Sequence, residues 1–90
     1  MKKIVLDGKL MRSRAAAHAY LKAALDLPVY YGANLDALYD LLSERRRQPL
    51  EVTLINGDIL RAALGEYGEA LIACFTDAFT RPDGAVFIEE

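Results

Sequence analysis

The chain reads as an α/β protein in which a three-stranded parallel sheet packs against about four helices. Three observations predict this class. First, three short apolar runs, Lys2 to Asp7, Glu51 to Asn56 and Ala85 to Ile88, have strand length, and a glycine follows each of the first two. Second, the stretches between them place apolar residues at helical spacing. Third, two helical segments separate each strand from the next, and strands joined through helical crossovers run parallel. The predicted order is β-α-α-β-α-α-β.

Lys2 to Asp7 has the apolar centre Ile4-Val5-Leu6, and Asp7-Gly8 supplies the turn that closes it. Ser13 can cap a helix running to about Leu25, in which Ala17, Leu21, Ala24 and Leu25 form one buried stripe at i, i+4, i+7 and i+8. Pro28 bars its continuation, because the residue before a proline is pushed out of helical geometry. Asn34 can cap a second helix, from about Leu35 to Ser43. Arg45 to Gln48 reads as a loop closed by Pro49. Glu51 to Asn56 alternates as a second strand, which Gly57 breaks. Asp58 can cap a short helix through about Leu64, and Gly65 stops it. Tyr67 to Thr80 forms the last helix, with Leu71, Cys74, Phe75, Ala78 and Phe79 on its apolar side. Pro82-Asp83-Gly84 then turns the chain into the strand Ala85 to Ile88.

Size and charge narrow the function. Ninety residues form one domain, residues 1–90, which buries roughly 60–65% of the unfolded chain's surface and needs no covalent staple. One cysteine, Cys74, forms no intrachain disulfide and points to a reducing compartment, with the cytoplasm expected. The basic start Met1-Lys2-Lys3 leads only into Ile4-Val5-Leu6, too short for a signal sequence or a membrane span. The net charge of −2 favours neither nucleic acid nor a strongly acidic mimic, but the charges are segregated. Asp26, Asp36, Asp40 and Glu44 stand without a basic residue between Ala23 and Glu44, and Arg45-Arg46-Arg47 follows at once.

Catalytic chemistry finds little support in the side chains. A nucleophile or base needs an orienting partner, and there is one His and one Cys. His18 falls close to Lys22 on the first helix and is expected to be exposed. Cys74 is expected to be a small core residue. No phosphate loop, zinc spacing or EF-hand loop occurs, so no metal or cofactor is expected. Asp36 and Asp40 as an acid–base pair would both be exposed, with nothing beyond their own repulsion to separate their roles. Arg45-Arg46-Arg47 reads as a solvated loop or, more sharply, as a contact for RNA phosphates or for an acidic patch on a partner.

The second helix and the loop before it carry the binding signal. At about 100° per residue, Asp36, Asp40 and Glu44 fall within roughly 80° of arc, away from Leu35, Leu38 and Leu42. Tyr39 lies on the border of the two faces. Asp36 is favoured in the first turn by the helix dipole, whereas the Asp36–Asp40 like-charge pair costs roughly 0.2–0.5 kcal/mol without visible compensation. Such an uncompensated local cost often marks a functional site, and an ordinary solvated helix face is the alternative on these residues alone. An acidic, aromatic-rimmed binding face is the reading the residues favour.

Pro28-Val29-Tyr30-Tyr31-Gly32-Ala33-Asn34-Leu35-Asp36-Ala37-Leu38-Tyr39-Asp40 closely resembles the signature of the barstar family, small intracellular inhibitors of secreted barnase-type bacterial ribonucleases. The similarity covers the whole chain, including Met1-Lys2-Lys3, Arg12-Ser13, Leu27-Pro28 and Pro49-Leu50. It implies a barstar-like α/β fold, with the strand order taken from the family. It also implies a non-enzymatic, monomeric immunity protein whose second helix and preceding loop occlude a ribonuclease active site. By position, Asp40 is then the main anchor and Asp36 its partner. Asn34 and Leu35 line the contact, Tyr30 packs near the enzyme's catalytic histidine, and Asp77 reaches in from the last helix. Tyr39 stands where the family usually has tryptophan, Ala33 where an acid is common, and Asp77 where Glu is common. The expected partner is a barnase-like ribonuclease, with no direct nucleic acid and no membrane. Immunity against a different toxin and an RNA-binding domain using Arg45-Arg46-Arg47 are the alternatives.

Overall fold

Strict alternation puts Leu50, Val52 and Leu54 on one face of their strand, and all three are buried at the centre of the sheet in the computed structural model, which describes residues 2–80 and 83–90. This strand, β2 (Leu50–Ile55), lies between β1 (Lys2–Asp7) and β3 (Val86–Glu89), both parallel to it. Lys2 pairs with Leu50 and Asp7 with Ile55 at the ends of one ladder, and Glu51 pairs with Val86 and Leu54 with Glu89 in the other. Among the described residues four α-helices accompany the sheet: α1 (Arg14–Ala24), α2 (Leu35–Arg45), α3 (Gly57–Leu64) and α4 (Glu66–Ala78). The three-stranded parallel sheet with four helices is therefore the predicted fold class, and the strand order is β1-β2-β3.

The helices deliver their apolar stripes to one core with the buried sheet face. Ala17 and Leu21 of α1, Leu38 and Leu42 of α2, Leu60 of α3, and Leu71 and Phe75 of α4 meet Leu6, Val52 and Leu54 there. Phe75 stacks on Phe87 from the sheet, with ring centroids 5.1 Å apart. α2 and α4 pack against each other, and this pairing positions the surface described below.

Local chemistry sets the helix ends, and it corrects several expected boundaries. Ser13 caps α1, its Oγ accepting from the Ala16 N–H at 3.1 Å. α2 continues past Ser43 to Arg45, so Arg45 is helical and not part of a loop. Its guanidinium donates to the carbonyls of Leu25 and Asp26, which the end of α1 leaves unsatisfied. α3 starts at Gly57, and Asp58 lies in its first turn without capping it. Asn56 occupies the cap position in left-handed conformation, and its side-chain amide donates to Asp7 Oδ1 at 2.9 Å instead. Gly65, at φ +58°, is the one residue between α3 and α4. α4 ends at Ala78 and not Thr80, and β3 is displaced by one residue, to Val86–Glu89. Of the expected turn at Pro82-Asp83-Gly84, Pro82 lies outside the described residues.

Candidate partner-binding surface

The loop from Asp26 to Asn34 is anchored by its buried residues and presents the others. Leu27 and Tyr31 enter the core, whereas Val29 and Tyr30 project, Tyr30 being 77% exposed. Ala33 takes a left-handed backbone, φ 52°, which turns the chain into Asn34. Asn34 Oδ1 accepts from the Ala37 N–H at 2.8 Å, and its amide donates to Gly32 O at 3.2 Å. One side chain therefore caps α2 and tightens the loop before it.

On α2, Leu38 and Leu42 are fully buried while Asp36, Asp40 and Glu44 are exposed, as the angular count predicts. Tyr39 sits at the border, 41% exposed. Asp77 is exposed on α4. Packing of α2 on α4 brings these positions to one groove of about 520 Å³, lined by Leu35, Asp36, Tyr39, Asp40, Asp77 and the small residues Ala70, Ala73 and Cys74. Two further depressions flank it. One includes Asn34 beside Asp36, and the other includes Tyr30 beside Asp40 and Glu44. Tyr30, Asn34, Leu35, Asp36, Tyr39, Asp40 and Asp77 thus share a continuous surface around α2.

Carboxylates line the α2–α4 groove, and Arg14 stands in the flanking depression beside Asp36. Among the described residues the ion pairs are those of Arg61 with Glu69 and Glu89, and none of them involves a groove carboxylate. Cys74 is half-buried beneath them rather than in the core proper, and its thiol donates to Leu35 O at 3.7 Å. Burial, then the charges of Asp77 and Asp36, push its pKa up, so it stays a neutral thiol on the groove floor.

His18 departs most from its sequence reading. It is 3% exposed, not a surface residue, because its ring bridges two tyrosines distant in sequence. Nδ1 lies 2.5 Å from Tyr31 Oη and Nε2 2.6 Å from Tyr67 Oη. Arg14 covers the Tyr67 ring, its guanidinium carbon 4.2 Å from the centroid. A signal was present in the sequence, since His18 precedes Leu21 by three and Leu25 by seven and so lies on the buried stripe. The groove floor, Ala70 and Ala73, carried no such signal. Arg46 and Arg47 remain exposed beyond the end of α2.

The fold and this surface define a small parallel α/β protein with an acidic helix at its exterior. The family model "Barstar (barnase inhibitor)" matches residues 1–88, and the chain belongs to the barstar family. A Bacillus subtilis (strain 168) protein described as "Putative ribonuclease inhibitor YrdF" is 37% identical over 78 residues, 87% of this chain and 86% of the relative. The family is one of inhibitors and not of enzymes, in keeping with the scarcity of catalytic side chains.

Proposed function

We propose that this protein is a ribonuclease inhibitor that occludes the active site of a barnase-type enzyme with α2 and the loop preceding it. The observation that carries this reading is the α2–α4 groove, where Asp36, Asp40 and Asp77 converge beside Tyr39 with no cation paired to them among the described residues. A ribonuclease holds a phosphodiester among cationic side chains, and carboxylates fixed on helices are preorganised to take the same positions. They lose less conformational freedom on binding than flexible RNA does. Tyr30, exposed on a loop whose neighbour Tyr31 is buried, supplies an aromatic contact at the rim. Family membership and the description of the Bacillus relative support the same class of target.

In this reading the protein is a monomeric, cytoplasmic immunity factor that protects its producer. Among the described residues no helix is long and apolar enough to cross a membrane. The RNA-binding alternative loses one of its three arginines, because Arg45 is engaged by the carbonyls of Leu25 and Asp26. The test is cleavage of an RNA substrate by a barnase-type ribonuclease, titrated with the purified protein. Inhibition complete near one equivalent is expected. Undiminished cleavage in excess folded protein would reject this class of target.

A further inference from the structure

The His18 cluster lies behind the loop that completes the acidic face and shares the flanking depression with Asn34 and Asp36. Three separate segments meet at one imidazole: α1 supplies His18, the loop supplies Tyr31, and the first turn of α4 supplies Tyr67. Tyr31 is the buried neighbour of the exposed Tyr30 and stands three residues before the helix cap Asn34. Its hydrogen bond to His18 therefore ties the loop's anchor to the helices behind it.

A neutral imidazole has one N–H and one lone pair, so one tyrosine accepts from the ring and the other donates to it. Burial pushes the Tyr31 phenol up to about 12, and it remains an O–H group throughout the neutral range. A protonated ring donates from both nitrogens. The tyrosine that had donated must then turn its hydrogen away, and a cation is left where water has little access. Burial accordingly holds the His18 pKa below the usual histidine value.

The surrounding charges modify this balance without removing it. From α1, Arg14 lies over Tyr67 and disfavours a second cation, and Lys22, one turn beyond His18, is exposed. From α2, Asp36 lines the same depression as His18 and Arg14 but is open to solvent. From α4, Tyr67 and the thiol of Cys74 complete the titratable groups on that side.

We propose that His18 is a positioning residue for the partner-binding loop: its neutral ring, tied to Tyr31 and Tyr67, fixes Tyr30 and Asn34, and its protonation in mild acid loosens the loop and weakens partner binding. The last step rests on the inhibitor reading above. The loop's response to His18 belongs to the free protein and stands apart from it.

The experiment has two arms. In the free wild-type protein, the His18 ring resonances and the backbone amides of residues 29–34 are followed by NMR from about pH 8 to 5, the range in which histidine titrates. The amides of Tyr30 to Asn34 are expected to shift or broaden with the midpoint of the imidazole. Amides indifferent to that midpoint would overturn the proposal whatever the nuclease does. In the second arm, affinity for a barnase-type ribonuclease is measured over the same range with the wild type and His18→Gln. Titration of the nuclease is common to both. The wild type is expected to lose at least about fivefold more affinity in acid than the variant, the lower end of ordinary coupling between sites. Parallel pH profiles would overturn the proposal. A wild type that does not bind the nuclease at about pH 7.5 would reject the inhibitor reading, and the amide titration would still decide the role of His18.

Discussion

Asp40 lines two of the three depressions around α2, at the centre of the acidic face, with no ion-pair partner among the described residues. Asp40→Ala is expected to weaken nuclease binding by about 2–5 kcal/mol, the cost of leaving the enzyme's cations uncompensated at a closed interface. Close charge pairs of the barnase–barstar complex are the reference for an effect of that size. A titration of inhibition by the variant measures it. In the core, Phe75 is 1% exposed and stacks on Phe87. Phe75→Ala is expected to cost about 3–5 kcal/mol of stability by urea unfolding, through lost burial and the cavity left behind. Orientation at this scale was legible where a helix has one plain apolar stripe, hence Asp36 and Asp40 outward and Leu38 and Leu42 inward. It failed at His18, which shares the buried stripe of Leu21 but carries a polar ring that local spacing leaves without a partner. The hydroxyls that satisfy that ring stand 13 and 49 residues away, beyond the reach of local spacing.

At the scale of elements, α2 begins where the sequence places it because Asn34 supplies the cap within its own first turn. Asn34→Ala is expected to cost about 1 kcal/mol of stability, measured by urea unfolding. It is also expected to weaken binding, since Asp36 rides on the turn that would fray. The start of α3 was not legible in the same way. Asn56 is drawn to Asp7 from another strand, so neither it nor Asp58 caps as a local reading requires. The end of α2 escaped a local reading for a similar reason, since Arg45 continues the helix while reaching carbonyls about twenty residues earlier in the chain.

Across the whole molecule, charge and pH act together. Burial lowers the His18 pKa, so folding stability from its neutral form is present above the unfolded value of 6.5 and is lost as pH falls through the folded one. The hydrogen bonds from Arg61 lower the Glu89 pKa, so stability from that carboxylate is present above 4.5 and is lost as pH falls through its folded value. Urea midpoints are therefore expected to decline in two steps with acidification, the first absent in His18→Gln. Charge is also divided along α2, with acids on its exposed face and Arg46 and Arg47 beyond its end. Opposite fields between the acidic face and a cationic active site speed association, and salt screens them. The helices and the acidic stripe of α2 were legible because each rests on spacing within one segment, and the parallel sheet because helical segments separate successive strands. The groove between α2 and α4 needed the packing of two helices that the chain separates by a strand and α3.

The most direct test of the proposed inhibition is the dissociation constant for a barnase-type ribonuclease, measured for the wild type, Asp40→Ala and Arg46→Ala at about 0.05 and 0.2 M salt, a range over which screening changes appreciably. A steep loss with Asp40→Ala, little change with Arg46→Ala and weaker wild-type binding at the higher salt are predicted. Binding that survives Asp40→Ala and collapses with Arg46→Ala would contradict the account and place the contact at the basic end of α2.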